Sequence, residues 1–404
     1  PPTDLQVDVI TIPPTAIAGQ SVTVSWTVSN HGDTPATGYW SDSVYLSADA
    51  VWDLGDRLIG TGDWGKVDQQ KTLLPGESYT QTLTASLPTV LPASYRVIVR
   101  CDIYDDIYEG ANNANNKAVS QDVMNITVTR LVLGVPLQDT LAGGGERLYA
   151  VQVTAGQTLE VALTGASGGA NELYARFQGV PSSLAYDAAY EGHLWPDQTI
   201  RIPSTTQGTY YILVRSAGGS PSGPITLTAR TLPFQITSVS PDAGGDGRYV
   251  HVTIEGARFH PNAIVKLIRP QVAEYEPVSY QVVNSFRIEA KFDLLDAPQG
   301  LYDIQVTNPN GQVARVPYRY LVEPALPLDL TVGIGGKGKL EIGETGWYGL
   351  GLYSLTNVSA PYVHLEFGVP RVPNSSGGII PGEALVFRTN LYGQPRLDDV
   401  PWAE

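Results

Sequence analysis

Three aspartates, Asp49, Asp53 and Asp56, stand four and three residues apart in the run from Trp40 to Gly60. They fall between a short alternating stretch, Ser43 to Leu46, and a second apolar pair, Leu58 and Ile59. Strand, acidic loop, strand is what this pattern predicts. Calcium takes about six to eight oxygen ligands, which loops supply through carboxylates, carbonyls and water. Carboxylates held together repel unless a cation neutralises them. A Ca2+ site on Asp49, Asp53 and Asp56 is therefore expected. Asp102, Asp105 and Asp106, with Glu109 beside them, form a second acidic cluster, and Asp42 is a further donor. The spacing departs from the EF-hand, which needs a glycine at its turn and a bidentate glutamate at its end. The other reading open to these aspartates is turn formation through side-chain to backbone hydrogen bonds. Asn112, Asn113, Asn115 and Asn116 are read as turn formers.

The elements that must position these groups are strands. Glycine and proline number 42 and 30 in 404 residues, a density that breaks helices and suits turns between short strands. Val, Thr, Tyr and Ile dominate the apolar runs, as strands prefer. The fold class is all-β, and the length predicts about three domains. In Ala18–Gly32, Val22, Val24, Trp26 and Val28 share one face; in Ser94–Cys101, Tyr95, Val97, Val99 and Cys101 do. Cys101, the single cysteine, is read as a buried, inert thiol. A chain of this size without an internal disulfide, if exported, fits a bacterial source. Three N-x-S/T triplets, at Asn125, Asn357 and Asn374, carry no meaning in such a chain.

With 25 basic residues against 40 acidic, the chain carries a formal charge of −15 and lacks the Lys/Arg footprint that nucleic acid requires. No apolar run approaches the ~20 residues of a membrane span, so membrane insertion is not expected. The five histidines are scattered, and no H-E-x-x-H, G-x-S-x-G or Cys/His pairing occurs. The chain is read as non-catalytic.

Several motifs in order carry family resemblances. A-G-Q-S-V-T-V-S-W-T-V-S-N-H-G, then W-S-D-S-V-Y-L-S-A-D and an N-N-rich turn, resemble the CARDB family over residues 1–129. That resemblance implies an immunoglobulin-like sandwich of bacterial cell-adhesion-related proteins. Over residues 130–232, L-Y-A-R-F, Y-D and G-T-Y-Y-I-L-V resemble the bacterial pre-peptidase C-terminal domain. This implies a jelly-roll-like sandwich without catalysis, associated in some members with calcium or polymeric substrates. Tyr174, Tyr186, Asp187 and Trp195 are its candidate ligand-binding residues, since aromatic faces beside acceptors suit a carbohydrate or protein surface ligand. Residues 233–323 resemble an IPT/TIG domain through Pro241, Gly244–Gly245, Gly256, Phe259 and the Asn310–Gly311 turn. Gly244 to Gly247 is read as a turn with backbone freedom. After a proline-stiffened linker, residues 324–404 are expected to form a small β-rich, immunoglobulin-like domain that is cut short. A non-catalytic structural or adhesion segment of a large secreted or cell-surface bacterial protein follows, stiffened by calcium. Its partners are the neighbouring domains and a surface ligand. The alternative is a polymer-binding accessory module of a secreted hydrolase.

Overall fold

The computed structural model describes residues 2–60, 66–217, 223–336 and 348–360, and the strands 362–368, 372–373, 379–380 and 384–390. The remainder, including Asn374 and the closing residues 391–404, lies outside the described residues. The chain divides into two compact units, Pro1–Leu232 and Pro233–Glu404. It is all-β, and among the described residues every element is a strand apart from one 3-10 turn at Asn112–Asn115.

The first unit opens with β1 (Leu5–Thr11), β2 (Thr15–Ile17), β3 (Ser21–Asn30), β4 (Ala36–Ser47) and β5 (Arg57–Leu58). β6 (Lys66–Leu73), β7 (Ser78–Ser86), β8 (Ala93–Arg100), β9 (Lys117–Val119) and β10 (Met124–Thr127) complete its first sandwich. One sheet runs β1-β3-β7; the other runs β2-β10-β8-β4-β5, with β6 on β4 and β9 on β8. Val22, Val24, Trp26 and Val28 are all buried between the sheets, as the alternation requires. Their outward neighbours pair across β3 and β7 as Ser21–Ser86, Thr23–Thr84, Ser25–Thr82, Thr27–Thr80 and Ser29–Ser78. The Thr23–Thr84 and Thr27–Thr80 hydroxyls bond at 2.9 and 2.8 Å, cross-strand pairs of the kind that stabilise a sheet.

The second sandwich follows almost without a linker. Only Val128 separates β10 from β11 (Thr129–Leu131). β12 (Leu137–Leu141), β13 (Glu146–Val153), β14 (Thr158–Thr164) and β15 (Asn171–Phe177) come next. Then come β16 (Ala188–Ala189), β17 (Gln198–Ile202), β18 (Gly208–Ser216) and β19 (Gly223–Leu232). The sheets are β11-β13-β18-β15-β16 and β12-β19-β14-β17. β13 is buried on both faces: Tyr149, Val151 and Val153 point into the second core, while Leu148 and Ala150 belong to the first. Leu213 on β18 joins them, and Tyr174, Val180 and Tyr211 pack against that same core. Thr89 Oγ1 donates to Glu146 Oε1 at 2.6 Å, and Arg147 donates to the Gly19 carbonyl. Gly19 is required there: its φ is +77°, and a Cβ would stand 2.9 Å from the Glu146 carbonyl oxygen. The two sandwiches thus share one apolar joint.

The second unit begins with β20 (Gln235–Ser240), β21 (Ala243–Gly245), β22 (Tyr249–Ala257), β23 (Ile264–Arg269) and β24 (Ala273–Tyr275). β25 (Ser279–Asn284), β26 (Arg287–Asp293), β27 (Gly300–Thr307) and β28 (Val313–Glu323) complete a sandwich with sheets β20-β22-β26-β25 and β21-β28-β27-β23-β24. Val250, Val252 and Ile254 are buried in it, and Gly311, at φ +82°, turns β27 into β28. Gly244 and Gly245 are not in a positive-φ turn. They lie in β21, paired with Val322 and Glu323 of β28, and what they supply is space. A Cβ on Gly244 would meet the Tyr320 hydroxyl at 2.2 Å and Val250 at 2.7 Å. Beyond Glu323, β29 (Leu330–Gly336) pairs with β30 (Tyr348–Ser354).

Candidate functional site

β4 and β5 form the hairpin that carries the acidic loop, with Tyr45 opposite Leu58 and Leu46 opposite Arg57. Within the loop each aspartate serves the backbone. Asp49 Oδ1 accepts the Val51 N–H at 2.7 Å, Asp53 Oδ1 accepts that of Gly55 at 2.6 Å, and Asp56 Oδ2 accepts that of Asp53 at 3.0 Å. These are side-chain-built turns. What seats the loop is Trp52, which the sequence reading passed over. Its ring lies edge-on to Tyr45 at 6.0 Å, with the Arg100 guanidinium 4.2 Å and the Lys117 ammonium 5.9 Å from its centre. Cation–π and aromatic contacts of this kind are worth about 1–3 kcal/mol together. Trp52→Ala is accordingly expected to destabilise the first sandwich by about that amount. It should also speed hydrogen exchange at the Val51 and Gly55 amides; unchanged exchange there would mean that the turns hold without the anchor.

The second acidic cluster splits by environment. Asp105 and Asp106 are exposed, whereas Asp102 and Glu109 are buried. Asp102 accepts the Asp106 and Ile107 N–H groups at 2.9 and 3.0 Å. Burial raises its carboxyl against those two hydrogen bonds. Glu109 accepts the Leu5 N–H at 2.8 Å and the Asn116 side-chain N–H at 2.9 Å, which ties β1 to the turn before β9. Burial pushes it up to about 7. The asparagines act as expected of turn formers and as pins: Asn115 donates to Asp4 Oδ1 at 2.8 Å.

Asp42 stands at the centre. It is fully buried inside β4, where Oδ2 accepts the Trp26 indole N–H and the Tyr79 hydroxyl, both at 2.9 Å. The Trp40 indole in turn donates to the Tyr79 oxygen at 3.0 Å. Burial pushes Asp42 up to about 6, although its hydrogen bonds and Lys71 favour the charged form. Cys101 lies beside this network and is buried as expected; burial, with Asp42 and Glu109 nearby, raises its thiol far above neutral pH. The signal for this network is an aspartate in register with buried neighbours inside a strand. Among the described residues no group of three His, Cys, Asp or Glu is placed to hold a metal ion. Asp49, Asp53, Asp56 and Asp102 act as turn acceptors and Asp42 as a core acceptor.

On the second sandwich Tyr174, Tyr186 and Asp187 lie together along β15, and Trp195 stands at its other end. Tyr174 and Tyr186 touch, with ring centres 5.8 Å apart. Tyr174 also packs on the joint between the sandwiches, and its hydroxyl donates to Glu172 Oε2 at 2.9 Å. Asp187 is spent on the Phe177 N–H at 2.6 Å. Trp195 is 59% exposed beside the opposite end of β15, where its carbonyl accepts the Asn171 N–H at 3.4 Å.

Comparison with known families agrees with two of the sandwiches. Residues 2–120 match the CARDB model, and residues 145–216 match that of the bacterial pre-peptidase C-terminal domain. Each match falls within one of the first two sandwiches. The CARDB module resembles the solved CARDB domain of a Pyrococcus furiosus protein in complex with di-metal ions. Identity is 20%, over 31% of this chain and 90% of that one, at a TM-score of 0.23. The pre-peptidase module resembles that of a Bacillus anthracis collagenase, at 15% identity over 26% and 95% of the two chains, with a TM-score of 0.23. Aeromonas hydrophila PliG, a periplasmic inhibitor of g-type lysozyme, matches at 18% identity over 26% and 96%, with a TM-score of 0.22. No curated protein matches the chain. CARDB and pre-peptidase C-terminal modules occur in bacterial secreted and surface proteins, and among the described residues no helix is long and apolar enough to cross a membrane.

Proposed function

We propose that this chain is a non-catalytic spacer segment of a larger exported bacterial protein, which sets the separation and orientation of neighbouring binding elements. The observation that carries the reading is the joint at β13. Leu148, Ala150 and Leu213 of the pre-peptidase module sit in the CARDB module's core, and one residue links the two modules. Modules built to move independently meet through smaller, more polar contacts. The third sandwich is IPT/TIG-like in this reading, on the strength of its Gly256–Phe259 corner and Gly311 turn. Calcium is not needed for the spacer. The melting curve of the chain is expected to be the same in excess calcium and in chelator, whereas a rise of several degrees in calcium would establish the acidic loop as an ion site.

The alternative, a polymer-binding module, draws support from Leu184 and Tyr186 and from Leu194 and Trp195, two exposed apolar pairs between β15 and β17 in sequence. Co-sedimentation with insoluble cellulose, chitin and collagen fibrils separates the two readings. The spacer stays in the supernatant. Retention that Tyr186→Ala and Trp195→Ala abolish would establish the polymer-binding reading instead.

A further inference from the structure

The Gly244–Gly247 loop has a geometry that a turn alone does not require. A Cβ on Gly245 would stand 2.6 Å from Asn357 Oδ1, 2.8 Å from the Ala325 Cα and 2.8 Å from Val358. A Cβ on Gly247 would meet the Ala325 side chain at 2.6 Å. The missing side chains leave a socket: Asn357, Ala325 and Val358 fill it at Gly245, and Ala325 and Val358 fill it at Gly247. The Asn357 carbonyl accepts the Gly245 N–H at 2.7 Å, and its Oδ1 accepts the Leu326 N–H at 2.8 Å. Its Nδ2 donates to Glu323 Oε1 at 3.1 Å and to the Pro324 carbonyl at 2.9 Å. Asp246, between the glycines, accepts the Ala325 N–H at 2.8 Å, so Pro324–Leu326 is pinned from both sides. Two residues past the asparagine, the Ser359 N–H donates to the Tyr249 carbonyl at 2.8 Å, and Ala360 is buried.

We infer that the Gly244–Gly247 loop is an interaction surface for an asparagine-bearing strap, residues 355–360 of the same chain, and that this latch completes the third sandwich. A primary carboxamide is the chemistry the socket selects, because one acceptor and two donors are needed at once. Aspartate would lose both donors and face the Glu323 carboxylate. A glycan on the Asn357 triplet would likewise occupy the nitrogen that the socket uses. The stretch after Glu323, which reads as a free proline-stiffened linker, is thereby part of the third module. The latch stands whether or not the chain works as a spacer.

Hydrogen exchange on the full chain tests it. In the wild type the Gly245, Leu326 and Ser359 amides should be protected. In Asn357→Ala and Asn357→Asp their protection should fall at least tenfold while the β22–β26 ladder keeps its own. Gly245→Ala, whose Cβ would press on Ala325 and Val358 as well as on Asn357, should lower the same protection. Unprotected amides in the wild type, or protection within twofold of it in Asn357→Ala, would overturn the latch. So would an equal loss throughout the β22–β26 ladder, which would mark general destabilisation.

Discussion

Asp42→Ala is expected to cost the CARDB module about 3 kcal/mol, because it leaves the Trp26 indole N–H and the Tyr79 hydroxyl buried without an acceptor. Asp42→Asn keeps an acceptor, removes a buried charge, and should cost less. The same residue makes stability depend on pH in a direction opposite to the usual carboxylate. Burial raises Asp42 from 3.8 to about 6 and Glu109 from 4.5 to about 7, so the folded module binds protons more tightly than the unfolded chain. Their contribution is full below the unfolded values and is lost as pH rises through about 6 to 7. The CARDB module should therefore melt at a higher temperature at pH 5 than at pH 8, and Asp42→Asn should flatten that slope. Glu160 in the second module does not obscure the window. Burial would raise it, but Arg230 and Arg201 outweigh burial and hold it low, so its loss of stability falls on the acid side. Melting that is flat or falls between pH 8 and pH 5 would contradict the assignment of a buried, proton-binding pair.

Gly256→Ala is expected to be the most damaging single-methyl change in the third sandwich, at about 3 kcal/mol or more. Its Cβ would stand 2.1 Å from the Gln235 carbonyl oxygen and 2.3 Å from the Phe259 ring. Neither neighbour has room to yield. Gln235 is held in the β20–β22 ladder, and Phe259 is buried with its ring edge-on to Phe234 at 6.3 Å. The Gly256 N–H also donates to the Phe286 carbonyl at 2.8 Å, which closes the backbone route of escape. Phe259→Leu in the same chain should return part of the loss by making room for the methyl. Gly311→Ala is the contrast: open space surrounds it, and only its φ of +82° is strained, at about 1 kcal/mol. Urea denaturation of the full chain, followed by the third module's transition, reads both. A Gly256→Ala loss below that of Gly311→Ala would show the corner to be soft.

How much of this was legible in the sequence follows from the range of each interaction. Alternation in Ser21–Asn30 placed Val22, Val24, Trp26 and Val28 inward because period two is a local property of the strand. The Gly256–Phe259 corner and the Asn310–Gly311 turn were legible for the same reason. The aspartates of the acidic loop were found, but type and spacing alone do not say what they bond. That depended on whether the loop curled them together or curled each onto its own backbone, and Trp52, clamped by Arg100 and Lys117 from distant strands, belongs to the answer. Tyr174 looked like a ligand platform because aromatic residues on a strand read alike whether they meet solvent or a neighbouring module. β13 carried a signal that was available: Leu148 and Ala150 on one face and Tyr149, Val151 and Val153 on the other mark a strand buried on both sides. The glycine socket had no such local signature, since its partner lies about a hundred residues on.

The joint at β13 is the part of the account on which the spacer depends, and a distance across it measures it directly. Cys101 is buried, so spin labels on cysteines introduced at the exposed positions Thr84 and Thr199 would attach without interference from the native thiol. Pulsed electron spin resonance on the full chain should then give a single narrow distance distribution, which Leu148→Asp broadens. A broad distribution in the chain carrying only the two labels would mean that the CARDB and pre-peptidase modules move independently, and the spacer reading would fall.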